Sequence, residues 1–209
     1  MAEVKAIQYG HTNCYVIRGS RGNLLFDTDW AGTYGKFRRA LKDADISGRT
    51  ISYLLISHYH PDHMGIAQEI VSAGARLLVP DVQKAYLHAS DAIFAKEKST
   101  RFYPLRETDV LTVSREQSRN VLAAVGIEGE VLSTPGHSAD SVSLVLDDGT
   151  AFVGDLCPLF TVLAYQNQTM EDSWSELLRH DLRRIFYGHF PPQQLSGVHS
   201  LRDIPTTYG

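Results

Sequence analysis

The stretch ISYLLISHYHPDH, residues 51–63, decides how this chain is read. Its first half is a nearly continuous apolar run, the pattern of a strand buried on both faces. Its second half sets three histidines and one aspartate within six residues. In extended backbone, residues two apart point the same way, so His58 and His60 are spaced to grip one ion. Pro61 cannot continue a strand ladder. Asp62 and His63 then fall where the next helix begins and are placed to face a second ion. A carboxylate among imidazoles is a ligand set that zinc accepts. Taken singly, each histidine would read as a satisfied loop residue; clustered behind a buried strand, they read as ligands.

Working outward, the same punctuation recurs. Residues 4–9, 14–18 and LLFDTD (24–29) read as strands, and the third ends in Asp27. Residues 33–44 carry helical spacing with Thr33 as a candidate cap. Residues 62–73 read as a helix, 75–80 as a strand, 81–96 as a helix capped by Asp81, and 114–125 as a helix capped by Ser114. Strands EVLSTPGH, SVSLVLDDG and TAFVGD follow, with a hairpin signal at Asp148-Gly149. Residues 171–184 read as the last helix and IFYGH (185–189) as the last strand, before a tail with Pro191, Pro192 and Pro205. Buried strands thus run straight into Asp27, His58, His137, Asp155 and His189. Strand ends are where layered α/β proteins build their sites, and the element order implies α/β with mixed sheets.

Composition narrows the partners. The 209 residues are 43% hydrophobic and 21% charged, which suits one folded domain over 1–209 rather than a disordered or coiled-coil chain. Two cysteines cannot form a disulfide framework. A net charge of −4 gives nothing global to attract nucleic acid or an anionic membrane. No apolar run approaches the ~20 residues of a membrane span. The opening MAEVKAIQYGHTN has no signal-like apolar run, so a cytoplasmic protein is the expectation. Oligomeric state leaves no trace in the sequence.

On these motifs the chain resembles the metallo-β-lactamase superfamily, glyoxalase II-like metallohydrolases in particular. FDTD, HYHPDH, STPGHS, FVGD and YGH match the family's five motifs in order. The resemblance implies an αββα four-layer sandwich: two mixed β-sheets face to face with helices on both outer faces. It implies two divalent ions, zinc first, with iron or manganese as alternatives. His58, His60 and His137 would bind one, Asp62, His63 and His189 the other, and Asp155 would bridge them. Asp27 would accept a hydrogen bond that orients a ligand histidine. The implied reaction is hydrolysis by a bridging hydroxide, with Asp62 taking or passing the proton and Asp155 holding both ions.

The substrate expected is a small ester-like molecule: a thioester, a lactone or a related acyl compound. Glyoxalase II carries a helical C-terminal domain, whereas 20 residues follow His189 here; a full glutathione thioesterase is not the expectation. True β-lactamases generally lack the bridging aspartate, and nuclease members carry extra domains. A small-molecule phosphodiesterase and a mononuclear iron sulfur dioxygenase, using His58, His137 and Asp155, are the alternatives. A binding protein that has lost catalysis is disfavoured, because every ligand position is filled. Trp30, Tyr59 and Phe190 adjoin the motifs and are candidates for a substrate rim. Asp29 reads as turn chemistry and Cys157 as a small buried residue. Asp140 stands where the family often has glycine, and reads equally as a subfamily mark or a turn residue. Residues 86–109 are the candidate flap, and Arg38-Arg39 and Arg183-Arg184 read as solvated helix faces.

Overall fold

In the computed structural model residues 2–204 are described, so Pro205 of the expected tail lies outside them. Strands β1 (Val4–Ile7), β2 (Cys14–Arg18) and β3 (Asn23–Phe26) form an antiparallel meander. Helix α1 (Tyr34–Asp43) leads to β4 (Ile51–Leu55), and the short helices α2 (Pro61–Met64) and α3 (Ala67–Ser72) lead to β5 (Arg76–Pro80). Helix α4 (Asp91–Phe94) precedes β6 (Val110–Val113). Strands β3 to β6 are parallel, so the first sheet is mixed, in the order β1-β2-β3-β4-β5-β6. Helix α5 (Arg115–Ala124) crosses to the second sheet of β7 (Gly129–Ser133), β8 (Val142–Leu146) and β9 (Thr150–Phe152). Helix α6 (Gln168–Leu178) leads to β10 (Arg184–Phe186) and β11 (Gln193–Gln194). That sheet runs β11-β10-β9-β8-β7, parallel only between β9 and β10.

The apolar strands are explained by which face each residue serves. In β2, Tyr15 and Ile17 point into the layer between the sheets, while Cys14 and Val16 point to the outer helices. Leu24, Phe26, Leu55 and Leu78 join the inner layer; Leu25, Leu54, Leu77 and Val79 join the outer one. The second sheet alternates likewise, with Val131, Leu144, Phe152 and Phe186 inward and Leu132, Val145, Ala151 and Ile185 outward. A period-two strand with both faces covered loses its polar positions, which is why the sequence shows continuous runs. Phe37 and Leu41 of α1 with Ile70 of α3 close one outer face; Trp174 and Leu177 of α6 close the other. The result is the four-layer αββα sandwich. No helix among the described residues is long and apolar enough to cross a membrane.

Several element boundaries differ from the sequence reading. The expected helix 62–73 breaks at Gly65, whose backbone lies against residues 29–31, and Ile66 leaves helical geometry (φ −115°, ψ 17°). The expected helix 81–96 becomes a 3-10 turn over Asp81–Tyr86 followed by α4. There Gln83 spends its amide on the backbone carbonyls of Ile56, Ser57 and Asp140. Helix α6 begins earlier than 171, because the Asn167 side chain accepts the Met170 N–H at 3.2 Å. It ends at Leu178, so Arg184 lies on a strand with its guanidinium over the Phe186 ring. Thr33 donates to the Trp30 carbonyl instead of capping α1, whereas Ser114 forms a capping box with Gln117.

Candidate metal centre

Strands β3, β4, β9 and β10 all end at one edge of the sandwich, and the loops behind them carry Asp27, His58, Asp155 and His189. β7 runs in the same sense as β9, since both are antiparallel to β8, and its loop carries His137. Five separate segments thus deliver their polar residues to one place, as open α/β sheets do.

Two groups of donor atoms form there. His58, His60 and His137 make one, and Asp62, His63 and His189 make another; within each group the ligand atoms lie within 4.8 Å of one another. Asp155 lies between them. Its Oδ1 is 3.3 Å from His63 Nε2, and its Oδ2 is 3.5 Å from His189 Nε2, 3.6 Å from His137 Nε2 and 3.9 Å from His58 Nε2. His58 and His63 are sealed from solvent, whereas the side chains of Asp62, His137 and His189 are about one-third exposed. The centre is therefore rigid at its floor and open at its mouth.

Asp27 anchors the floor. It adopts φ 61°, a left-handed conformation that aspartate tolerates better than most residues. Its Oδ1 accepts the Ser57 N–H at 2.6 Å, and its Oδ2 accepts from Ser57 Oγ at 2.8 Å and His63 Nδ1 at 2.9 Å. Ser57 Oγ in turn lies 3.0 Å from His58 Nδ1. One carboxylate thereby fixes His63 directly and His58 through a hydroxyl, turning both Nε2 atoms towards Asp155. Gly188 makes room: a Cβ there would come within 2.5 Å of Asp155 Oδ1 and 2.8 Å of His63 Cε1.

The electrostatics of the two groups diverge. Burial and the neighbouring histidines push the His58 pKa well down, and burial also lowers that of His137 against the pull of Asp155. Burial alone would lower His63 too, but Asp27 and Asp155 push it up to about 10. The hydrogen bond to Asp62 raises His189. Burial opposes ionisation of Asp62, yet His189 and His63 hold its carboxyl down at about 2.

The donors fit a metal on structural grounds. His58 Nε2 and His137 Nε2 lie 3.0 and 3.1 Å from His60 Nδ1. Three ring nitrogens facing one another at this range oppose their lone pairs unless a proton or cation sits among them. His63 Nε2 and Asp155 Oδ1 are buried 3.3 Å apart without a hydrogen bond between them, so each has an ionic neighbour but no directed bond. A cation held by those atoms relieves both conditions.

A sequence model described as the metallo-beta-lactamase superfamily matches residues 8–189. The chain belongs to that superfamily. The atrochrysone carboxyl ACP thioesterase of Aspergillus terreus is 28% identical over 150 residues, covering 69% of this chain and 38% of that protein. The lactamase-like protein ptaB of Pestalotiopsis fici is 29% identical over 190 residues, covering 85% and 50%. The chain thus spans half or less of the length of these curated relatives. Among solved superfamily structures, the Cronobacter sakazakii metallo-β-lactamase with a HARLDQ motif superposes with a TM-score of 0.67 at 18% identity, covering 88% of this chain and 76% of that one. The metallo-β-lactamase family protein TTHA1429 of Thermus thermophilus gives 0.58 at 19%, covering 98% and 76%. At such identities these neighbours speak for the superfamily fold alone.

Of the rim candidates, Tyr59 is a correction. It is 1% exposed and belongs to the outer core, its carbonyl accepting from Ser90 Oγ, because alternation along the chain turns it away from His58 and His60. Trp30 is partly buried, donating from Nε1 to Glu97 at 3.1 Å and packing edge-on against Phe94. Phe190 is 46% exposed beside Tyr187 and is the accessible aromatic of the three. Cys157 is buried, and Asp29 accepts the N–H groups of His11, Thr12 and Trp30, as a turn residue does. A groove of about 1030 Å³ runs along α1 to the start of β4 and contains none of the donor residues.

The sequence reading missed three contributors. Ser57 was visible only as a polar end to an apolar run. The segment His11–Asn13 carried no metal spacing. Yet the His11 carbonyl accepts from His189 Nδ1 at 3.2 Å, Thr12 Oγ1 donates to the Asp62 carbonyl at 2.7 Å, and Asn13 Nδ2 donates to the carbonyls of Tyr187 and Phe190. The third, Gln83, lay inside what looked like a surface helix.

Proposed function

We propose that the chain is a metal-dependent hydrolase of small acyl compounds, thioesters first among them. His58, His60 and His137 would hold one divalent ion, Asp62, His63 and His189 a second, and Asp155 would serve both, with zinc the expected metal. The observation that carries this reading is the meeting of six donor side chains around Asp155, with His63 Nε2 and Asp155 Oδ1 buried 3.3 Å apart and without a hydrogen bond.

When bound, such ions supply Lewis acidity and a water ionised near neutral pH. The chain supplies the rest. Asp27 and Ser57 hold His63 and His58 in one tautomer and one orientation. Asp62 is ionised at neutral pH and its side chain is about one-third exposed, so its carboxylate is placed to take a proton and release it to solvent. Cys157 is no rival nucleophile: burial raises its thiol pKa. Among the described residues, Asp62 and Asp155 pair only with histidines. That favours an acyl substrate over a phosphoryl one, which recruits Lys or Arg. The names of the thioesterase relatives support the same choice.

The test is metal quantification on native protein, then chelation, metal restoration and a panel of thioester, lactone, phosphodiester and β-lactam substrates. Two zinc per chain and metal-restored thioester cleavage are expected. One iron with oxygen uptake on a persulfide would replace the proposal with the dioxygenase alternative. Full activity in a metal-free, chelator-treated preparation would end it.

A further inference from the structure

We infer that Asp140 is a positioning residue that locks the loop of His58 and His60 onto the loop of His137. The inference rests on the metal-binding reading above. Asp140 is 4% exposed, an unusual place for a carboxylate, and no Lys, Arg or His pairs with it among the described residues. Its Oδ2 accepts the backbone N–H of Tyr59 at 2.7 Å. That N–H belongs to the residue between the two histidines, so the bond fixes the His58–Tyr59 peptide plane, which adjoins His58 and lies one residue before His60. Asp140 itself lies three residues beyond His137.

A second tie closes the clamp. The Gln83 amide donates to the carbonyls of Ile56 and Ser57 on the histidine side, at 3.0 and 3.1 Å, and to the carbonyl of Asp140 at 3.0 Å. Val142 N–H also donates to the Ser57 carbonyl at 2.8 Å, joining the two loops where β8 begins. A buried carboxylate costs free energy unless it is well bonded, and this one spends its bond where the three-histidine group is assembled. Asp140 touches no donor atom of that group. It acts through backbone, and it touches nothing in the Asp62, His63 and His189 group.

The clamp predicts a selective defect. Asp140→Ala should weaken one of two cobalt equivalents by roughly 10–100-fold, the range for residues that orient ligands, and leave the other near wild type. Asp140→Asn keeps an acceptor for Tyr59 N–H and should restore most of the loss. Cobalt titration against a competing chelator reads both sites without an activity assay. In the metal-free proteins, histidine-ring NMR should show His58, His60 and His137 displaced in Asp140→Ala and unmoved in Asp140→Asn. Equal weakening of both equivalents, wild-type binding by Asp140→Ala, or an Asn variant as poor as Ala would overturn the clamp. If wild type binds no cobalt, the metal reading fails, and unmoved histidine signals in Asp140→Ala would then separately refute the clamp. Should Asp140→Ala not fold, Gln83→Met takes its place with the same expected selectivity and the same refuting outcomes.

Discussion

The two donor groups share Asp155 and the Asp27–Ser57 support behind His58 and His63, but they differ in charge. The three-histidine group is neutral in character: burial drives His58 and His137 towards the unprotonated imidazole that binds metal. The Asp62, His63 and His189 group is an ion-pair network in which carboxylates are pushed down and histidines up. The first is built from neighbouring loops tied to each other. The second depends on the distant segment His11–Asn13, which binds the backbone of Asp62 on one side and of Tyr187 and Phe190 on the other. If the proposed ions bind, the first group meets them with His58 and His137 biased towards the neutral ring, the second with His63 and His189 biased towards the protonated one.

Removing the shared residue tests the comparison most severely. Asp155→Ala should lower both metal affinities together and reduce turnover on the order of 10³-fold, because metal polarisation of the substrate supplies several kcal/mol. Loss of only one equivalent by metal analysis would break the symmetry assumed for Asp155. Asp27→Asn should cost about 10–100-fold in metal affinity. Its contact with His63 is direct and that with His58 is relayed by Ser57, so the larger loss should fall on the second group. Equal losses would show the relay to be as strong as the contact.

Proton linkage gives a third test, on the metal-free protein. The folded His63 pKa of about 10 lies above its ordinary 6.5, so it stabilises the fold fully below pH 6.5 and ceases to do so as pH rises through 10. His58 has the opposite sign: its folded pKa is depressed, so stability is lost as pH falls below 6.5. Denaturant melts from pH 5 to pH 10.5, about the range that spans both titrations, should therefore show a maximum that His63→Gln flattens on the alkaline side. A curve unaffected by that variant would remove the ion-pair description of the second group.

Asn13→Ala, which deletes the bonds to the carbonyls of Tyr187 and Phe190 and a third, exposed one from Gln8, should cost about 0.5–1.5 kcal/mol per bond and weaken the second group alone. The smallest effect lies outside both groups. Burial raises Glu69 to about 7 despite Arg101, so its contribution is lost as pH rises from 4.5 to 7. Glu69→Gln should remove that slope from the melts without altering metal binding, which cleans the acidic limb on which His58 is read.

What the sequence made legible follows from how each residue acts. Ligands and buried strands declare themselves through side-chain type and period, so the layers and the donor set could be written down beforehand. Ser57 acts through its hydroxyl on Asp27 and His58, and Asn13 and Gln83 through several bonds to the carbonyls of distant elements; no spacing rule marks them. Tyr59 misled because adjacency to a motif says nothing of direction: its alternation with His58 and His60 turns it into the core. The helices around Gly65 and Gln83 broke for tertiary reasons, a backbone contact and a side chain committed to carbonyls, which override local propensity.

Gly188 carries a lesson for how such a centre drifts over generations. It has no side chain to donate, ionise or bind an ion, yet one methyl group there would occupy the space of the Asp155 carboxylate and the His63 ring. Selection acting on this loop would defend an empty volume as strictly as it defends an imidazole, and a saturation library should find that position as intolerant as the histidines on either side of the cleft.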